Sequence, residues 1–99
     1  MATYSGRVIE IITEKASYAA GEVVRAKIHY TATRVNGLAW LAWHTRAKVF
    51  VNGVLKDEDE TTHGFPGGVD VIEHTTRWFN LGSMPSRNMT GKVEIWCGG

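Results

Sequence analysis

Apolar and polar residues alternate most regularly from Val23 to Ala32, where Val24, Ala26, Ile28, Tyr30 and Ala32 interleave with Val23, Arg25, Lys27, His29 and Thr31. A period of two puts the first set on one face of an extended chain, so a half-buried strand is expected here. Arg7 to Thr13 is rich in β-branched residues, and Ala19-Ala20-Gly21-Glu22 has the composition of a turn, which makes these two segments neighbouring strands. Further on, Val49-Phe50-Val51, Asn52-Gly53 and Val54-Leu55 form the strongest hairpin signal in the chain, because Asn and Gly accept the positive φ of a type I′ turn. Val69 to Phe79 reads as another strand. Gly91 to Cys97 closes the chain, with Val93, Ile95 and Cys97 alternating against Lys92, Glu94 and Trp96. Gly64-Phe65-Pro66-Gly67-Gly68 and the stretch from Gly82 through Met84-Pro85 to Asn88 read as loops.

Short strands separated by turn residues, with no long helical period, predict an all-β sandwich or barrel. Ninety-nine residues suffice for one core, so 1–99 is read as a single domain.

The stretch Lys15-Ala16-Ser17-Tyr18-Ala19-Ala20-Gly21-Glu22-Val23-Val24, running into an alternating strand, resembles the immunoglobulin-like modules of bacterial surface, macroglobulin-type and phage structural proteins. In those modules a Tyr-x-x-Gly-Glu turn links the first two strands. The likeness spans about thirty residues, with looser support from Trp78-Phe79 ahead of Met84-Pro85 and from the closing strand. The paired cysteines of antibody domains are missing. It implies an immunoglobulin-like antiparallel β-sandwich of about seven strands, and no particular activity, since that fold hosts many unrelated roles.

Charge changes the picture little. A formal net charge of +1 supplies no overall attraction to nucleic acid or anionic lipid. Arg25, Lys27 and His29 on one strand, and Arg46 and Lys48 on the next, form the local basic stripes from which phosphate binding would have to come. At the N-terminus Glu10 interrupts Val8, Ile9, Ile11 and Ile12, so no signal peptide is expected. The lone Cys97 cannot close an intramolecular disulfide; a cytoplasmic or virion-associated home is the matching expectation. The apolar run Leu38–Trp43 falls far short of the ~20 residues of a membrane-spanning helix.

Candidate chemistry is sparse. Asp57-Glu58-Asp59-Glu60 lacks the Gly-punctuated spacing of a calcium loop and reads as a solvated turn after the hairpin. His29, His44, His63, His74 and Cys97 show no metal-ligand spacing, and no serine lies in a nucleophile elbow, so no catalytic residue, metal or cofactor is expected.

The unusual stretch is Leu38-Ala39-Trp40-Leu41-Ala42-Trp43. Two tryptophans and two leucines in water would reach the ~300–600 Å² of a monomer's largest apolar patch, so something must cover them. Three covers are open: the domain's own core, another protein chain, or sugar rings stacked on the indoles, with Trp96 and Trp78 available to join. Trp96 lies on the polar phase of the last strand, whereas Trp78 beside Phe79 is expected in the core. Leu38, Trp40, Leu41, Trp43, Phe65 and Trp96 are therefore the candidate contact residues of a non-enzymatic structural or protein-interaction module. Such a module would self-assemble or serve as an accessory subunit of a virion, filament or surface assembly, with a carbohydrate-binding module as the alternative. A second alternative is a ubiquitin-like carrier, from Gly98-Gly99 and a helix drawn over Leu38–Lys48.

Overall fold

The computed structural model of the chain describes residues 1–83 and 88–98. Seven strands follow one another: β1 (Thr3–Thr13), β2 (Val23–Gly37), β3 (Trp43–Val51), β4 (Val54–His63), β5 (Gly68–Thr75), β6 (Phe79–Ser83) and β7 (Met89–Cys97). In one sheet β2 is central, with β1 along one side and β5 and β6 end to end along the other; in the second, β3 lies between β4 and β7. All pairings are antiparallel. The sheets share one core, the arrangement of a β-sandwich, and no helix occurs among the described residues. None is therefore available to cross a membrane.

The alternation seen in the sequence builds that core. Val24, Ala26, Ile28 and Tyr30 of β2 face Ala47, Val49 and Val51 of β3, with Phe79 and Leu81 of β6 completing the cluster. Both expected turns form. The Glu22 amide donates to the Ala19 carbonyl at 3.1 Å, and Gly21 takes φ 84° at the third position, as a type II turn requires. Tyr18 packs against the core while its hydroxyl accepts the Lys15 amide at 3.1 Å. The Glu22 carboxylate, held below its usual range by Lys15 and the Ala19 amide, closes the loop. At the hairpin, Asn52 (φ 50°) and Gly53 (φ 80°) supply the two left-handed residues of type I′.

Elsewhere the structure corrects the sequence reading. β2 continues past Ala32 to Gly37, and β1 starts earlier than Arg7. The single strand expected over Val69–Phe79 is two, because Thr76, Arg77 and Trp78 stand opposite only Lys27 and Ile28 of β2. This bulge keeps its ladder bonds: the Thr76 amide donates to the Ile28 carbonyl and the Thr76 hydroxyl accepts the Ile28 amide, both at 2.9 Å. The extra residue leaves Phe79 inside and turns Trp78 out of the expected core, where Lys27 Nζ sits 4.5 Å from its ring.

The acidic run is the middle of β4 rather than a turn. Period two divides its carboxylates: Glu58 and Glu60 meet Arg46, while Asp57 and Asp59 meet Arg77. The helix of the ubiquitin-like alternative is also overturned. Leu38–Leu41 is a β-turn, and Trp43, Thr45 and Ala47 alternate with His44, Arg46 and Lys48 as a strand. Of the predicted Gly82–Asn88 loop, Gly82 and Ser83 end β6, and 84–87 lie outside the described residues, as does Gly99.

Candidate functional site

β2, β4 and β7 finish, and β1, β3 and β5 begin, at one end of the sandwich. Two connections cross it: the Leu38–Ala42 segment between β2 and β3, and the 64–67 loop between β4 and β5. In the first, the Leu41 amide donates to the Leu38 carbonyl at 3.1 Å, so Ala39 and Trp40 occupy the tip of a turn.

Arg34 organises this end. Its position carries on the inward phase of Val24 to Ala32, and its side chain is fully buried. Nε and Nη2 reach Asp70 Oδ2 at 2.9 and 2.8 Å, Nη1 donates to the Leu41 carbonyl at 2.8 Å, and Nη2 donates to the Pro66 carbonyl at 2.7 Å. One guanidinium thus ties both loops to β5. Burial by itself disfavours its charged form, but the Asp70 carboxylate outweighs this and the Arg34 pKa is raised. The guanidinium fork fits the task because it offers several donors in fixed directions and remains charged. Gly37 makes room for it: a Cβ there would lie 2.2 Å from Arg34 Nε. Gly67 lets the second loop touch the first, since a Cβ on it would meet Ala39 at 3.0 Å.

Behind the loops, Trp43 is 1% exposed, with the Arg34 guanidinium carbon 5.5 Å from its ring centre and the His63 ring 4.6 Å away. His63 Nε2 and Thr45 Oγ1 are 2.9 Å apart, and Thr45 Oγ1 and Tyr30 Oη 2.7 Å. Burial, with smaller effects from His74 and His44, lowers the His63 pKa below its ordinary 6.5. A neutral imidazole accepting from Thr45 suits this chain of hydroxyls. His74 lies beside it, with Nε2 3.4 Å from Thr61 Oγ1 and its ring edge-on to Tyr30.

The structure separates the six candidate contact residues. Leu38, Trp40 and Phe65 are exposed on the two loops, Trp40 at 71%. Leu41 is half-buried, its carbonyl held by Arg34. Trp43 belongs to the interior, so it is corrected from a contact residue to an enclosed one: strand period two turns it inward, where Arg34 and His63 cover its ring. Trp96 stands on the outer face of the β4-β3-β7 sheet, stacked on His44 at 5.4 Å and under Arg46 at 4.8 Å. Trp78 is on the outer face of the other sheet, so the four tryptophans do not meet on one platform.

The basic stripes carry partners of their own. Arg25 lies 4.0 Å from Glu14, His29 2.8 Å from Glu73, Arg46 2.8 Å from Glu60 and Lys48 3.0 Å from Glu94. Among the described residues, no three His, Cys, Asp or Glu side chains gather closely enough to hold a metal ion. Cys97 shares a face with Val93 and Ile95, its thiol 3.6 Å from the Ala42 carbonyl.

Sequence reasoning missed Arg34, Asp70, Gly37 and His63 as organisers of this end. One signal was present: an arginine on the apolar phase of a strand must find a buried acceptor. Its partners, at 7, 32 and 36 residues' distance, carry no such mark. Comparison with protein-family models, curated proteins and solved structures gave no match to this chain.

Proposed function

We propose that the protein is a non-enzymatic structural module of immunoglobulin-like type that self-assembles through its loop end. The observation carrying this reading is the pairing of exposure with rigidity. Leu38, Trp40 and Phe65 offer three large apolar side chains to solvent, on loops whose backbone carbonyls are pinned by a buried arginine. A loop fixed in advance loses little entropy on docking, and aromatic anchors dominate interface energetics. The immunoglobulin-like part of the proposal draws on seven strands in two antiparallel sheets and on the Tyr18-x-x-Gly21-Glu22 turn joining the first two. Residues of the loop end can meet a different patch on the next copy, a contact that closes into a ring or continues as a filament.

Native mass spectrometry with light scattering tests the reading. The wild-type chain is expected to form species above the dimer, and Trp40→Ala combined with Leu38→Ser is expected to remove them while leaving the fold intact. An unchanged distribution of species in that folded variant, or a wild-type chain that forms none above the dimer, overturns it.

A further inference from the structure

A second surface lies along β5, away from Leu38 and Trp40. The sandwich has two open sides. On one, β1 runs beside β7; on the other, β4 runs beside β6, strapped by Arg77, whose Nη2 donates to Asp57 Oδ1 at 3.0 Å and to the Glu58 carbonyl at 3.2 Å. Beyond the strap this side opens into a cleft of about 280 Å³ lined by Trp43, His63, Pro66, Asp70 and Ile72, with β5 as its rim.

Among the described residues, β5 pairs only with β2. The Thr76 amide bonds the Ile28 carbonyl, and the same register continues through Tyr30↔His74, Ala32↔Ile72 and Arg34↔Asp70. Even-numbered residues of β5 therefore direct their amides and carbonyls at β2, and Val69, Val71 and Glu73 direct theirs outward. Val69 and Val71 are 66% and 68% exposed.

Other edges carry the usual protection against strand pairing. β1 has a bulge at Ile9, β4 its acidic run and Lys56, and β7 Lys92 and Glu94. Gly68–Thr75 contains no Lys, Arg or Pro, and the one carboxylate on its outward phase, Glu73, is engaged by His29 of β2 at 2.8 Å.

We propose that β5 pairs antiparallel with β5 of a second copy of this chain, about a two-fold axis through Val71. The outward pattern of β5 is compatible with its own copy in one register, and the charges select that register. With Val71 opposite Val71, each Val69 faces a Glu73, and the two Glu73 carboxylates lie four residues apart, roughly 13 Å along the strands. An axis through Ile72 would instead place them as diagonal neighbours, about 7–8 Å apart. Val69, Val71 and Glu73 then form three pairs, each exchanging two hydrogen bonds through the amides that β2 leaves unused. The same symmetry brings Ile72 of the second copy opposite Asp70, at the rim of the cleft, and carries the 64–67 loop of each copy toward the Thr76–Trp78 bulge of the other. Phe65 and Trp78, both exposed in the single chain, lie at the two ends of that seam. This contact needs neither Leu38 nor Trp40 and does not rest on the loop-end reading.

A charge-swap experiment decides it. At tens of micromolar the wild-type chain is expected to contain a dimer by native mass spectrometry, and Trp40→Ala with Leu38→Ser is expected to retain it. Val71→Lys and Val71→Glu, outward substitutions expected to preserve the circular dichroism spectrum, should each be monomeric. Mixing the two in equal amounts should restore a dimer of one Lys and one Glu copy, because residue 71 faces its own counterpart. Amide exchange at Val69, Val71 and Glu73 should slow in the wild-type dimer alone. A wild-type chain lacking a dimer, a dimer that survives Val71→Lys, or a mixture that stays monomeric overturns the proposal, and so does slow exchange at these amides only when a different protein is bound.

Discussion

Arg34 and Asp70, 36 residues apart in sequence, meet inside the sandwich with Nη2 and Oδ2 2.8 Å apart and both side chains nearly excluded from solvent. Neither charge would be tolerated there alone, and the pair fixes where two loops sit. Removing one partner leaves an uncompensated buried charge, so Asp70→Ala is expected to lower unfolding free energy by about 3–5 kcal/mol in urea denaturation. A loss below about 1 kcal/mol would show that the guanidinium is satisfied by the loop carbonyls without the carboxylate.

The two tryptophans of the central stretch should behave oppositely. Trp43→Ala empties an enclosed site and is expected to cost about 3–5 kcal/mol, a large part of the stability of a domain this size. Trp40→Ala touches an exposed turn and should stay within about 0.5 kcal/mol of wild type. Acrylamide quenching should find Trp40 accessible and Trp43 protected; equal quenching of both would contradict the burial assigned to Trp43.

Gly37→Ala tests whether Arg34 has room to move. The new Cβ would lie within 2.8 Å of three Arg34 atoms, and three hydrogen bonds and a further ion-pair contact to Asp70 hold that side chain in place. A cost of about 1–3 kcal/mol is expected, with faster amide exchange at Leu41 as the turn loosens. In Gly53→Ala the new Cβ meets nothing within 4 Å, but φ is +80°, so the loss is about 1–2 kcal/mol from backbone strain alone, without change at Leu41.

His63 makes stability depend on pH. Its folded pKa lies below the ordinary 6.5, mainly through burial and then through His74 and His44. Below 6.5 the unfolded chain therefore binds more protons than the folded one at this position, so the contribution is complete above 6.5 and lost as pH falls toward the folded value. Thr45 links the ring to the Tyr30 hydroxyl of β2, His74 from β5 and His44 from β3 act on it electrostatically, and Asp70 from β5 lines the same cleft. The melting temperature should drop between pH 7.5 and 5.5, and His63→Gln should flatten that drop; an equal pH slope in the variant would assign the effect to other groups.

Local chemistry in the sequence was sufficient for the all-β class, the Ala19–Glu22 turn, the Asn52-Gly53 hairpin and the inward set of β2. Each depends on residues adjacent in the chain: alternation chooses a face, and positive φ chooses Asn or Gly. The tertiary structure alone decided that Thr76–Trp78 is a bulge, that the acidic run divides between two faces, that Trp43 is enclosed while Trp40 is bare, and that Arg34 finds Asp70, Leu41 and Pro66. Those outcomes depend on which strand lies beside which. Pairing register and the approach of distant loops are set by the summed packing of the whole core, and no short stretch of sequence encodes that sum.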